Sequence, residues 1–300
     1  MTEMTDEVNV RVADGQPLTP AQQRWVIETP DIVQLGMLAT SARARRTGAS
    51  ATFVRVDEVP LEAVEGWEVS PEAGEVRVVG TPQSLDAALA AVGRLRAASG
   101  VPVTGFTLHD LAHTAGQALA TWCAALRDAG LSAVALARTD RLEEAWLETL
   151  ASAGLPLQAL APGTPVAGEA QLVLLAQVAE WHARHGLVRA YQPLALEVPP
   201  VDPSTGYDDM RAVVAARLVL LDGPRVQVHW GRAGAKLAQA CLLFGADDLD
   251  GVPARDAMPH GPRRSIIEEV RRNIRACSLD PVERLADFSV RSGQAVDATA

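Results

Sequence analysis

The stretch Gln227–Gly251, QVHWGRAGAKLAQACLLFGADDLDG, decides how the chain is read. It starts inside an alternating β-rich run, Arg225–Trp230 (RVQVHW), and continues through a small-residue apolar pattern at Gly234–Leu243 that fits a helix. A second apolar run near Leu243–Ala246 then ends in two adjacent acids. Strand, helix and strand in that order make one βα unit of a parallel sheet.

The same rhythm extends upstream. Runs of β character occur at Thr52–Val56, Glu75–Gly80, Val101–Thr107, Ser132–Ala137, Pro156–Ala161 and Ala190–Leu196. Between them, helical patterns cover Ser84–Ser99, Ala115–Gly130, Arg141–Gly154, Glu169–Gly186 and Tyr207–Leu221, several stopping at a glycine suited to a helix C-cap. Seven runs and the eighth near Leu243–Ala246 predict an α/β fold of the (β/α)8 TIM type, with a doubly wound open sheet as the alternative. Ahead of the first strand, residues 18–47 predict two helices, with Thr19 as N-cap and Pro20 in the first turn. Ser265–Cys277 predicts a last helix, and the polar tail from Ser292 is expected to fray.

Composition narrows the function. The 300 residues are 48% apolar but only 4% aromatic, so the core must be aliphatic. A formal net charge of −10 repels phosphate backbones and anionic membrane faces, so neither nucleic acid nor membrane is expected as a partner. Cys123, Cys241 and Cys277 are odd in number and far apart, which suits neither a disulfide framework nor a C-x-x-C metal site. With an acidic N-terminus lacking an apolar core, the expected location is the cytoplasm.

No nucleophile elbow, Walker loop or dinucleotide fingerprint is present. His109–His113 (HDLAH) is similar to a zincin pair, but Asp110 is shorter than the usual glutamate base and the segment follows a strand. His182 and His185 read as decoration on a solvated helix face. If the last two apolar runs are barrel strands, their C-terminal ends carry His229, Trp230, Asp247 and Asp248 to the rim where barrel enzymes hold substrates. The bland reading is that the two acids cap the following turn.

Here the residues resemble a family. His229–Trp230 followed by an apolar helix and Gly245–Gly251 (GADDLDG), with Asp280–Val290 (DPVERLADFSV) behind, is similar to the C-terminal part of the radical S-adenosylmethionine enzymes of the futalosine route to menaquinone. These are the aminofutalosine synthase and dehypoxanthine futalosine cyclase group and their deazaflavin-cofactor relatives. LTPAQQRWVIETPDIVQLGMLATSARARRTG resembles the family's helical lead-in, EVRVVG its second strand, and VTGFTLHDLAH its strand ending F-T-x-x-E, with Asp110 at the glutamate position. The resemblance runs over residues 13–290. It implies a lead-in at 1–48, a radical-SAM-like barrel at 49–290 with the most family-like part at 207–290, and a disordered tail at 291–300.

One departure governs the chemistry. The family places C-x3-C-x2-C just after the first strand, so that three thiolates hold a 4Fe–4S cluster while S-adenosylmethionine ligates the fourth iron. Here the residues after Val56 read DEVPLEAVEGWEVSPEAG, without a cysteine. In the family's G-G-x-x-P element Gly80 remains but Thr81 follows it, and SAVALARTD replaces the expected P-G-G-G. No 4Fe–4S cluster is therefore expected, S-adenosylmethionine binding is put in doubt, and no catalytic residue is assigned.

The resemblance implies a cluster-less paralogue acting as a non-catalytic or regulatory partner of a cluster-bearing homologue in menaquinone biosynthesis. The alternative is a barrel that binds a nucleoside or aromatic carboxylate with a non-radical activity, using Gly80, Thr107, Asp110, Gln192, His229, Trp230, Asp247 and Asp248. His109, Asp110 and His229 would serve as acid and base if the fold brings them together. A third reading leaves only a protein-binding surface, with the acidic stretch Asp57–Glu75 as its novelty.

Overall fold

Strand β1 (Ser50–Pro60) has parallel neighbours on both sides, which is what closes the sheet. The computed structural model describes residues 2–201, 203–255 and 265–291. From β1 the sheet runs through β2 (Glu75–Val79), β3 (Val103–Thr107), β4 (Leu131–Arg138), β5 (Leu157–Ala161), β6 (Val188–Tyr191), β7 (Arg225–His229) and β8 (Asp248–Pro253), all parallel, and returns to β1. This is a closed TIM-type (β/α)8 barrel. Buried on both faces, its strands read as apolar runs; all five residues of β5 are buried.

Eight helices surround it: α4 (Leu85–Ala98), α5 (Leu108–Ala115), α6 (Leu119–Asp128), α7 (Glu144–Ala153), α8 (Gly168–His185), α9 (Gly206–Val219), α10 (Trp230–Leu243) and α11 (Ile266–Ala276). Their inner faces follow the helical period, as with Leu147, Leu150 and Ala153 of α7. Ahead of β1 stand α1 (Thr2–Asp14), α2 (Pro20–Glu28) and α3 (Ile32–Thr47). Thr19 caps α2 in a capping box with Gln22, with Pro20 in the first turn as its sequence predicts. Helix α1 was not anticipated: its acidic surface hides Val8 and Val12, both fully buried.

Three expectations are corrected. The eighth strand does not lie at Leu243–Ala246. Those residues end α10 and turn at Gly245, and β8 starts at Asp248. The helix expected over Ala115–Gly130 starts only at Leu119, as α6; Ala115 ends α5, and Gly116, whose φ of 53° leaves the helical region, separates the two. His182 is not surface decoration: its Nδ1 lies 2.9 Å from the Val188 carbonyl and ties α8 to β6.

A ninth strand, β9 (Asp280–Glu283), pairs with the N-terminal half of β1, Ser50–Phe53, while β2 takes the C-terminal half from Val56. The first four residues of DPVERLADFSV thus form this strand. The chain after it crosses under the barrel: the Ala286 carbonyl accepts from Gln158 Nε2 at 2.7 Å and Arg189 Nη1 at 3.1 Å, on β5 and β6. The N-terminal pole is therefore plugged and the C-terminal mouth left open. The predicted tail at 292–300 lies outside the described residues. No helix among the described residues is long and apolar enough to cross a membrane.

Candidate functional site

Side chains alternate along a strand, so residues two apart share a face. In β2 this sends Glu75 and Arg77 into the barrel, in β7 Gln227 and His229, and in β8 Asp248 and Asp250. A polar column fills the interior. At its base, Arg284 grips Asp248 with Nε–Oδ1 and Nη2–Oδ2 both at 2.6 Å, and Gln227 Nε2 adds a bond of 2.7 Å to Asp248 Oδ2. One step up, Arg77 donates to Asp250 through Nη1 at 3.0 Å and Nη2 at 2.8 Å, and through Nε to Glu75 Oε1 at 2.8 Å. The Thr104 hydroxyl donates to the same Glu75 oxygen at 2.5 Å.

Burial would lower the Arg77 guanidinium, but Asp250 and Glu75 outweigh it and hold its pKa well above the ordinary value. Burial alone would raise Asp250; the Arg77 charge and hydrogen bonds reverse that and leave its carboxyl below the usual range. Arg77 is thus fully committed to two carboxylates. Such bidentate charge-assisted bonds fix geometry as well as charge.

Above this column opens a cavity of about 170 Å³ at the strand C-termini. Val78, Phe106, Ala135 and Leu136 supply its apolar wall, and Gln192, His229, Arg232, Asp250 and Glu58 its polar side. Phe106 holds a φ of 61°, an outlier for an aromatic residue of the kind that clusters at ligand sites. Arg232, in the first turn of α10, donates through Nη2 to Gln192 Oε1 and makes no ion pair among the described residues. Burial, offset only in part by Asp250, lowers its pKa, and the repulsion of Arg77 lowers it further.

His229 caps α10: its Nδ1 accepts the Arg232 backbone N–H at 3.4 Å. The neutral ring therefore carries its proton on Nε2. Burial takes its pKa down to about 4, with Arg232 and Arg77 opposing protonation and Asp250 favouring it. The ring packs flat on Gly251, where a Cβ would stand 2.3 Å from Cε1 and 2.4 Å from Nε2. Only glycine fits there, and its φ of 65° suits glycine as well.

Of the residues singled out in the sequence, Gly80, Thr107, Gln192 and His229 line this cavity together. Thr107 also caps α5 through the Asp110 N–H at 3.1 Å. Asp110 and Trp230 do not line it, and Trp230 is buried in the first turn of α10. His109 packs against His113 and Trp146 on the helical layer, with ring centroids 6.2 and 6.1 Å away, so His109, Asp110 and His229 do not converge. Asp247 and Asp248 sit at the opposite pole. Because β8 starts where its sequence was expected to end a strand, Asp248 enters the base of the column and Asp247 points outward to Arg217 of α9, at 2.7 Å. Sequence reading missed Arg77, Asp250 and Arg232. The first two were legible as charges in step with an inward neighbour two residues away; Arg232 had no such signal.

In the stretch Asp57–Glu75 the glutamates Glu58, Glu62, Glu65, Glu68 and Glu72 face solvent, while its two ends, Asp57 on β1 and Glu75 on β2, are buried. Asp57 is 2% exposed. It accepts from the Ser70 N–H at 2.7 Å, Trp67 Nε1 at 3.3 Å and Arg255 Nε at 3.0 Å, while the Arg255 guanidinium stacks 5.0 Å from the Trp67 ring. A carboxylate cradle thus organises the segment where the resemblance expects three thiolates. The cysteines lie elsewhere: Cys123 on α6, Cys241 on α10 and Cys277 just past α11, all buried. Burial pushes the Cys123 and Cys241 thiols up to about 11 and about 12. These residues do not fit a cluster that needs three thiolates on one loop. Among the described residues, no group of three or more His, Cys, Asp or Glu side chains is placed to hold a metal ion.

No protein-family model matches the chain. Its sequence is 33% identical over 104 residues to the aminodeoxyfutalosine synthase of Thermus thermophilus, covering 32% of this chain and 28% of that protein. The Streptomyces coelicolor aminodeoxyfutalosine synthase is 29% identical over 93 residues, 29% of this chain and 24% of that one. The matched segments thus span about a quarter of the curated relatives. In structure the chain is similar to methylornithine synthase, with a TM-score of 0.68 and 13% identity over 94% of this chain and 98% of that one. It is also similar to the FeFe-hydrogenase maturase HydG from Carboxydothermus hydrogenoformans, with a TM-score of 0.65 and 12% identity over 94% and 80%. Local sequence likeness to the aminodeoxyfutalosine synthases and likeness of the whole barrel to these structures bear out the resemblance to radical S-adenosylmethionine enzymes of the futalosine route, in a chain without the cysteine motif.

Proposed function

We propose that this chain is a cluster-less, cytoplasmic paralogue of the radical-SAM-like barrels that binds a small aromatic carboxylate at its mouth and does not cleave S-adenosylmethionine reductively. One observation carries the reading: Arg232 is a cation held in a largely apolar cavity with no carboxylate partner, beside Arg77, whose charge is already consumed. An arriving carboxylate would restore what burial has cost Arg232. Arginine favours carboxylates because its fork can donate two parallel bonds. His229 Nε2–H supplies a neutral donor, and Phe106, Val78 and Leu136 take the ring. At about 170 Å³ the cavity suits a single substituted ring, since an apolar cavity of about 150 Å³ holds one benzene.

The sequence likeness to aminodeoxyfutalosine synthases supports placing this ligand in the futalosine route to menaquinone, with the chain as a non-catalytic or regulatory partner of a cluster-bearing homologue. Calorimetric titration with benzoate and 3-hydroxybenzoate, against benzamide and adenosine, tests the ligand class. The acids should bind at least about tenfold more tightly than the amide, the equivalent of about 1.4 kcal/mol for one charge-assisted contact. Equal binding of acid and amide would refute the assignment to Arg232. Anaerobic iron and sulfide reconstitution should leave the protein colourless; stoichiometric iron with deoxyadenosine release on reduction would overturn the non-radical reading. Co-purification with an aminodeoxyfutalosine synthase, or a menaquinone requirement on deletion, tests the pathway placement.

A further inference from the structure

Buried polar atoms without a hydrogen-bond partner concentrate at the pole opposite the mouth, where α3 and α9 pack beneath the starts of β7 and β8. They include Nε and Nη1 of Arg43, Nη1 and Nη2 of Arg217, Nη1 of Arg225, and both carboxylate oxygens of Asp247. Arg217 Nη2 stands 2.7 Å from Asp247 Oδ2 without hydrogen-bond alignment, and Arg225 Nη1 is 3.6 Å from the same oxygen. Arg43 makes no ion pair among the described residues. Arg43 is 4% exposed and Arg217 and Asp247 are fully buried, so the enclosed charges sum to two cations against one carboxylate.

That imbalance is costly. A buried guanidinium needs an opposite charge, and water, which can accept its hydrogen bonds, leaves the charge itself uncompensated. Burial lowers the Arg43 pKa and Arg217 lowers it further, while Asp247 offsets this only in part. Arg46 nearby adds positive potential from the same helix and donates to the Gly223 and Pro224 carbonyls. Arg225, with a side chain 26% exposed, opens one edge of the cluster to solvent.

We propose that Arg43 and Arg217, the two enclosed cations, form a binding site for one small inorganic monoanion, of which chloride is the abundant cellular example. A single negative charge brings Arg43, Arg217 and Asp247 to neutrality and accepts from the orphaned N–H groups. A phosphate dianion would overshoot and meet the Asp247 carboxylate. The bound ion would pin α3, and with it the N-terminal helices, to α9 and the base of β8. The proposal is independent of the ligand proposed at the mouth.

Thermal unfolding at constant ionic strength, with sodium chloride exchanged for sodium gluconate, reads the site by linkage: the midpoint should rise with the logarithm of chloride concentration. Arg43→Gln should flatten that response while keeping the benzoate affinity of the mouth. Crystals soaked in bromide should show an anomalous peak within hydrogen-bond reach of Arg43 and Arg217, which holds the test open should Arg43→Gln fail to fold. Equal midpoints in chloride and gluconate, a full chloride response in Arg43→Gln, stabilisation by phosphate but not chloride, or a bromide-free site would each overturn the proposal.

Discussion

Asp250→Asn and Arg77→Met perturb the same buried contact from opposite ends, and the structure sets their costs apart. In Asp250→Asn, Arg77 loses its bidentate partner but keeps Glu75 through Nε at 2.8 Å and Nη2 at 2.7 Å. Breaking a buried pair costs about 3–5 kcal/mol, and the surviving Glu75 contact puts this variant near about 3 kcal/mol. Arg77→Met strands two carboxylates, Glu75 at 0% and Asp250 at 4% exposure, with only Thr104, Gln192 and their own protonation to relieve them, so it should cost about 5 kcal/mol. For a chain of this size, about 2–3 °C per kcal/mol places the midpoint shifts near about 6–9 °C and about 10–15 °C. The double variant should cost less than the sum, with a coupling of about 1–3 kcal/mol. The pH dependence has a definite sign. The folded carboxyl of Asp250 lies below its unfolded value of about 3.9, so its contribution is complete above that value and is lost as the pH falls below it. Urea unfolding at neutral pH, with midpoint and slope both measured, reads the free energies. An Asp250→Asn cost at or above that of Arg77→Met, or additive costs in the double variant, would refute the account of Arg77 as the shared partner.

Gly251→Ala should lose about 2–3 kcal/mol and weaken carboxylate binding together, because the new methyl displaces the His229 ring and strains a left-handed backbone; a binding isotherm and a melt on the same sample check this. Arg232→Gln should lower benzoate affinity by about tenfold or more while leaving the unfolding midpoint within about 1 °C, since Asp250 and Glu58 only partly offset the burial of its charge in the free protein. Ligand affinity should be flat from pH 5.5 to 8, because burial keeps His229 neutral throughout that range, and titration calorimetry across buffers should show no proton uptake by the protein on binding there. Cys123 and Cys241 should react with a thiol reagent at native pH only on the timescale of unfolding, because burial keeps both protonated.

Most of the barrel was legible because its strands and helices differ in period and are punctuated by glycine. Gly154 and Gly186 end α7 and α8 in the left-handed conformation that marks a helix stop. The last unit misled for a physical reason. Leu243 reads as the start of an apolar strand, but it ends α10, whose Ala238, Cys241 and Leu242 are buried in an i, i+3, i+4 pattern while Leu243 itself lies 47% exposed. A short apolar run carries no period of its own, so the flanking helix claimed it. What fixes the turn is Gly245, where a Cβ would stand 2.9 Å from Ala39 Cβ and 3.0 Å from Arg217 Cγ, long-range contacts that no local pattern displays.

That displacement of one element reorders the chemistry. β8 is six residues long, and at a rise of about 3.3 Å per residue its two ends lie about 17 Å apart. Ending a strand at Ala246 would put Asp247 and Asp248 at the mouth; starting one at Asp248 puts them at the base and carries the third acid, Asp250, to the mouth instead. Alternation then separates the three: Asp248 and Asp250 enter the polar column, and Asp247 faces Arg217 in the helical layer. One short acidic motif thus serves two interior arginines and one exterior arginine. Its neighbours in space explain why the mouth keeps an uncommitted cation: Asp250 is spent on Arg77, so Arg232 has only the amide of Gln192. If the site discriminates carboxylates from amides, that selectivity follows from the register of β8 rather than from a dedicated binding loop. A variant that hands Arg232 an internal carboxylate, Gln192→Glu, should abolish acid selectivity at a cost in stability, because it removes an amide that donates to Gln227 Oε1 at 2.6 Å and Asp250 Oδ2 at 3.4 Å, and retained selectivity in that variant would separate ligand binding from Arg232.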